Sequence, residues 1–205
     1  SAEIVVGLLL KHLSIQTVLD VGCGRGAWLK MWRKKGVANV LGIDGNYVDS
    51  SRLDIPGHLF YSADLSKPLS LGKKFDLVQS LEVAEHIAAE ASSTFVKNLV
   101  SHGDLVLFSA APPGQGGEFH INEQTYSYWR DKFLECGYLL VDFVRPQLVD
   151  NSSVEPWYRY NSLLFVKAEK APDLPSSLRR CLVESDAPVV DYAPLTWRFR
   201  RFILR

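Results

Sequence analysis

The stretch Thr17-Val18-Leu19-Asp20-Val21-Gly22-Cys23-Gly24-Arg25-Gly26-Ala27-Trp28-Leu29 constrains the fold more than any other part of the chain. Its short β-branched opening predicts a strand over Thr17–Val21. Glycines at 22, 24 and 26 then break it, because glycine enters left-handed backbone at little steric cost. Helical spacing resumes over Ala27–Lys35 until Gly36 takes the capping position. A strand passing through a glycine turn into a helix opens a parallel sheet covered on both faces. The remaining chain keeps that rhythm. Ile4, Val5, Leu8 and Leu9 predict a helix over Ala2–Leu13, and strands are expected at Asn39–Asp44, Leu59–Ser62, Phe75–Leu81 and Asp104–Ser109 with helix-length segments between them. A helix over Tyr126–Cys136, closed by Gly137, leads to strand Tyr138–Val144 and then to strand Ser162–Lys167. With no helix expected between these two, the last strand should insert antiparallel. The fold class is α/β and Rossmann-like, a mostly parallel sheet of seven strands with helices on both faces.

In an open α/β sheet the ligand sits outside the strand C-terminal ends, where the strand order reverses. A dinucleotide fingerprint reads G-x-G-x-x-G, whereas here the order is Asp20-x-Gly22-x-Gly24-x-Gly26, with the third glycine one place early. A carboxylate at Asp20 repels a pyrophosphate and suits a ligand carrying an ammonium and a sulfonium, which points to S-adenosylmethionine. Asp44 ends the second strand, where a carboxylate can accept both ribose hydroxyls. Asp64, in Ala63-Asp64-Leu65, follows the third strand, placed for the adenine amino group. A tight turn without ligand, and cap or turn roles for Asp44 and Asp64, are the structural alternatives.

The fragments VLDVGCGRGAWL, GIDGN, SADL and FDLVQSLEVAEHI, in that order, resemble the class I S-adenosylmethionine-dependent methyltransferases over about residues 15–168. The resemblance implies cofactor contact by Asp20, Gly22, Cys23, Gly24, Asp44, Gly45, Ala63, Asp64, Leu65, Ser80 and Leu81. It implies a methyltransferase domain over 1–168, followed by an arm over 169–205. Trp28 is expected to pack on a helix face.

Methyl transfer is an in-line displacement, so the protein's task is to orient the acceptor and help it lose a proton. If Glu82-Val83-Ala84-Glu85-His86 opens a helix after the fourth strand, Glu82, Glu85 and His86 share one face at i, i+3 and i+4. His120 lies in the long loop after the fifth strand. A Glu-x-x-Glu-His segment with a distant His resembles the metal site of the methyltransferases that modify the terminal ribose 2′-hydroxyl of small RNAs, and a similar segment occurs in the ubiquinone-pathway O-methyltransferases. That resemblance implies a divalent ion (Mg, Mn, Fe or Zn) held by Glu82, Glu85, His86 and His120. Beside it stands a metal-free reading in which His86 or His120 serves as general base, and a structural one. The loop Pro112–Gly117 departs from the RNA enzymes. The stretches PGQGGEFHINEQTYSYW and EPWYRYNSLLFV instead resemble bacterial methyltransferases of sugar and surface-glycan pathways. Tyr126, Tyr128, Trp129, Trp157, Tyr158, Arg159 and Tyr160 are expected near the pocket rim, with ordinary packing as the alternative, since Tyr126 and Trp129 also fit one helix face. Arg145 and Arg159 are candidates to bind an acceptor phosphate or carboxylate, with a surface or loop-anchoring role as the alternative.

Lys and Arg number 23 and Asp and Glu 23, so the formal charge is zero. This argues against an extensive nucleic-acid surface, which needs many unpaired cations. No apolar run approaches the roughly 20 residues that cross a bilayer, and no secretory leader is evident at the start. Cys23, Cys136 and Cys181 show no CxxC spacing, which fits a reducing compartment, the cytoplasm. The tail Trp197–Arg205, with four arginines among aromatic and aliphatic residues, predicts a short basic amphipathic helix that docks on the domain, on a twin subunit or on an anionic membrane surface. The expected function is O-methylation of a hydroxylated small molecule such as a sugar or sugar conjugate. Terminal-ribose RNA methylation is the alternative within enzymes, and a cofactor-binding interaction module without turnover is the alternative outside them.

Overall fold

The computed structural model describes residues 1–194 and Trp197. Helix α1 (Ala2–Leu10) precedes strand β1 (Thr17–Val21), and the glycine turn delivers the chain into α2 (Ala27–Lys34). Strands β2 (Asn39–Asp44), β3 (Phe60–Ser62) and β4 (Leu77–Leu81) follow, then α3 (Ser92–Ser101), β5 (Leu105–Ser109), α4 (Tyr126–Glu135) and β6 (Tyr138–Val141). Two short helices, α5 (Val144–Leu148) and α6 (Pro156–Asn161), come before β7 (Leu163–Lys167), and α7 (Ser176–Arg179) follows it.

The seven strands lie in the order β3-β2-β1-β4-β5-β7-β6. Strands β1 to β5 pair in parallel, and β7 runs antiparallel between β5 and β6, with Phe108 opposite Leu163 and Leu140 opposite Phe165. The antiparallel insertion is as expected, but the helix-free link is corrected: α5 and α6 occupy it. Strand β6 is also shorter than expected, because Val144 starts α5.

Both faces of the sheet are covered, so its strands are continuously apolar rather than alternating. On one face Val18, Val40, Leu77, Leu107 and Leu164 pack under Val5, Val6 and Leu9 of α1, Leu29 and Trp32 of α2, and Leu148 of α5. On the other, Leu19, Val21, Val78, Val106 and Phe165 meet Phe95 and Leu99 of α3 and Trp129 and Phe133 of α4. The Phe133 and Phe165 rings stack at 3.9 Å. Each core is a set of alternate strand residues, as the two-residue period of a strand requires.

Beyond β7 the chain returns along β6. The Asp142 N–H donates to the Cys181 carbonyl and the Val183 N–H to that of Leu140, while Leu178 is fully buried. Apart from Trp197, which stands 6.4 Å from the Tyr160 ring, the basic tail lies outside the described residues, and so does its expected helix. Among the described residues no helix is long and apolar enough to cross a membrane.

Candidate active site

Strand order reverses between β1 and β4, and at their C-terminal ends opens a cavity of about 1040 Å³. Gly22, Gly24, Asp44, Gly45, Ala63, Asp64 and Leu65 line it, together with Glu82 and His86. Sequence reasoning missed Asn46, Tyr47, Ser62, Val83, Ile87 and Phe119, which complete the lining. The glycine turn passes so close to the segment after β4 that a Cβ on Gly22, at φ +85°, would meet Val83 Cγ2 at 2.3 Å.

Asp44 ties the two halves of the cofactor side together. Its Oδ2 accepts the Gly24 N–H at 2.6 Å, and its Oδ1 accepts the Gly45 N–H at 2.7 Å and the Tyr47 hydroxyl at 2.5 Å. Asp64 stands exposed on the rim. Its Oδ1 accepts the N–H and hydroxyl of Ser66, which lower its carboxyl below the ordinary value, and Oδ2 is left to solvent.

Four of the residues expected to touch a cofactor lie outside the lining. Cys23 points into the core, 8% exposed, with its N–H on the Ile43 carbonyl. Ser80 and Leu81 are buried within β4. Asp20 is buried at the end of β1, and burial, reinforced by the charge of Asp44 and opposed by Gln79, pushes its carboxyl up to about 7. Its Oδ2 has no hydrogen-bond partner. A buried carboxylate oxygen left without a donor is costly by itself, and it fits a cationic ligand close to the glycine turn.

On the acceptor side the expectation of a shared helix face is corrected. Ala84–His86 form a single 3₁₀ turn that begins after Val83, and Glu82 adopts left-handed backbone at φ +55°. The reason is its amide: the Glu82 N–H donates to the carbonyl and hydroxyl of Ser109 at the end of β5. The Glu82 carboxylate accepts from Gln115 Nε2 at 2.8 Å and Asn161 Nδ2 at 3.2 Å, while the Tyr126 hydroxyl donates to Asn161 Oδ1. Burial raises the Glu82 carboxyl, and these amide donors oppose the shift.

Glu85 is fully buried, with Oε1 on the Ala111 N–H at 3.2 Å and Oε2 without a partner. Burial, then the Glu82 charge, pushes its carboxyl up to about 8. Its backbone carbonyl accepts the N–H groups of Ile121 and Asn122, which fastens the long loop after β5 to the turn. The loop in turn orients both imidazoles. His86 Nδ1–H donates to the Phe119 carbonyl at 3.2 Å, and His120 Nδ1–H donates to Glu123 at 3.0 Å. The two rings meet edge to face at 4.9 Å. Burial, then the His120 charge, holds His86 below its ordinary pKa.

Ligand atoms of Glu85, His86 and His120 lie within 4.8 Å of one another. Glu82 is not among them, so the expected set of four becomes three. One carboxylate and two imidazoles suit manganese, iron or zinc at least as well as magnesium, and the partnerless Oε2 of Glu85 is consistent with a cation here.

The expected aromatic rim is largely core. Tyr126 and Trp129 are buried, and Trp129 packs on Phe108 at 5.2 Å. Arg145 is withdrawn from any acceptor: it is fully buried, pairs with both carboxylate oxygens of Asp142, and lies against the Tyr126 and Tyr192 rings. Arg159 lies over Tyr160. Phe119, by contrast, is 83% exposed on the cavity wall at φ +59°. No residue type announces such a position.

A family model described as a methyltransferase domain matches residues 2–155. Among curated proteins none matches the chain. The methyltransferase domain of bacterial CtHen1 is similar in structure, with TM-score 0.59, 19% identity, and coverage of 80% of this chain and 94% of that one. Magnesium protoporphyrin IX methyltransferase from Synechocystis PCC 6803, with bound SAH, gives TM-score 0.60 at 22% identity and covers 81% of each chain. The small RNA methyltransferase HEN1 gives TM-score 0.60 at 17% identity, over 81% of this chain and 24% of that one.

Proposed function

This chain belongs to the methyltransferase domain family, and on that premise we propose that it transfers the methyl group of S-adenosylmethionine to a hydroxyl of a small molecule, a sugar or sugar conjugate, with a divalent ion at the acceptor. When bound, the cofactor supplies a methyl group activated by its sulfonium, and the ion lowers the pKa of a hydroxyl it touches. The chain's residues do the rest. Asp44 and Asp64 offer carboxylate oxygens to hydroxyl and amino donors, and Asp20, its carboxyl raised by burial to about 7, stands at the end of β1 as a group that a cation beside it would ionise. Glu85, His86 and His120 would hold the ion, and a vicinal diol is an acceptor that such an ion grips. With its pKa lowered, His86 is neutral near pH 7, so Nε2 keeps the lone pair that either a ligand or a general base needs. Glu82, immobilised by Gln115 and Asn161, presents a fixed acceptor of hydrogen bonds on the cavity wall.

The observation that carries the acceptor half of this reading is the convergence of Glu85, His86 and His120 beside an orphaned carboxylate oxygen. A terminal RNA ribose presents the same diol, and that is the second reading; the balanced charge of the chain weighs against it. Labelled cofactor with sugar nucleotides, catechols and short RNAs, each with and without EDTA, separates them. Label in a sugar, lost in EDTA and restored by manganese, is expected. Label only in RNA would replace the substrate class, and full activity in EDTA would remove the ion and leave His86 as base.

A further inference from the structure

Glu123 belongs to none of the motifs that mark the site, yet its carboxylate is among the most heavily engaged in the molecule. Oε2 accepts the Gly114 N–H at 2.7 Å, and Oε1 accepts the Gly116 N–H at 2.7 Å and His120 Nδ1–H at 3.0 Å. One side chain thereby closes the loop from 114 to 123 and holds the ring of its imidazole. Both partners are largely shielded, with side chains 12% and 17% exposed for His120 and Glu123.

We propose that Glu123 is the positioning residue of the ion site: it fixes the tautomer and orientation of His120, whose ring stands beside Glu85 and His86, and leaves Nε2 free of a proton. This rests on the ion-assisted reading above. The chemistry follows from the contact. Committing the proton to Nδ1 leaves the lone pair on Nε2, and an anionic partner makes that nitrogen a better donor to a cation. The opposite edge of the ring is kept clear by glycine, since a Cβ on Gly117 would stand 2.3 Å from Nε2. The same loop supplies the Phe119 carbonyl that orients His86, so both imidazoles take their orientation from one segment, and Glu123 is its clasp.

Manganese binding to the purified chain, followed by the EPR signal of free Mn(II), tests this without turnover. Glu123→Gln should weaken Mn(II) binding about 10–100-fold, while binding of S-adenosylhomocysteine, read by calorimetry, stays at the wild-type level. Because Glu123 acts through His120, the same substitution in a His120→Ala background should weaken Mn(II) binding no further. Wild-type affinity in Glu123→Gln, or an equal loss in both backgrounds, overturns the assignment. Absence of Mn(II) binding by the wild-type chain would instead remove the ion-assisted reading and this inference with it. Should Glu123→Gln fail to fold, Glu123→Asp, which keeps the charge and shortens the arm, makes the same comparison against His120→Ala.

Discussion

Tyr47 offers a test of the cofactor side whose expected direction is a gain. A carboxylate has about four lone-pair sites, and Asp44 already spends three, on the N–H groups of Gly24 and Gly45 and on the Tyr47 hydroxyl. A ribose that donates both hydroxyls to Asp44 needs two sites, so the phenol must give way. Tyr47→Phe removes that competitor and keeps the ring that lies over Gly45. A hydrogen bond to a charged group is worth about 1.5–3 kcal/mol when shielded. Tyr47 is 80% exposed, so water replaces much of it, and the ordinary range of about 0.5–1.5 kcal/mol applies. Since about 1.4 kcal/mol is tenfold, S-adenosylhomocysteine should bind about 2- to 10-fold more tightly to Tyr47→Phe in calorimetry. Unchanged affinity would show that the phenol does not compete for Asp44. Weaker binding would show that the hydroxyl itself holds the ligand, and would refute the reasoning.

Gly22→Ala drives a methyl group into Val83 at a left-handed position, and should cost at least about 1–3 kcal/mol of stability in urea denaturation; a shift under half that would mean the turn can move away from β4. Arg145→Ala leaves Asp142 without its cation in a largely buried site and should cost about 3–5 kcal/mol. A small loss of stability with weakened acceptor binding would restore Arg145 as an acceptor ligand. The Asp20 carboxyl, raised from 3.8 to about 7, keeps its proton in the folded chain where the unfolded chain has lost it. The Asp20 contribution to ligand-free stability should therefore fall as pH rises from about 4 to 7 and then level off, while Glu85, raised to about 8, carries the fall further. Asp20→Asn should flatten that slope, with the residue of it due to Glu85; an unchanged slope in equilibrium unfolding at pH 5 and 8 would exclude Asp20 as its source.

The strand ends and glycine turn that line the cavity were legible because their signals are local, whereas Asp20, Cys23, Ser80 and Leu81, expected there too, lie outside the lining. The strand Asn39–Asp44 appears with its expected bounds, since β-branched residues, a glycine turn and a closing acid all act within a few residues of each other. The acceptor half depends on distant contacts. Glu82 takes a left-handed conformation because its amide reaches Ser109, and nothing near position 82 encodes that. Helices α5 and α6, five and six residues long, have little intrinsic helical tendency. Distant and cross-loop contacts tie them down, Arg145 to Asp142 and Asn161 to Glu82, and a local reading leaves them as loop. Glu123 looks like any loop acid until Gly114, Gly116 and His120 are seen around it.

The position of β7 has a consequence for how the chain assembles as it is synthesised. Strands β1 to β5 pair only with one another until residues 163–167 exist, so the parallel half of the sheet and the glycine turn can form early. Strand β6 is made before β7, yet among the described residues its only strand neighbour is β7. It has no strand to pair with until residues 163–167 are made and take the place between it and β5. Asn161, two residues before β7, arrives with it. The grip on Glu82 is therefore closed only when the segment before β7 docks, after the strands and glycine turn that line the other side of the cavity are already made.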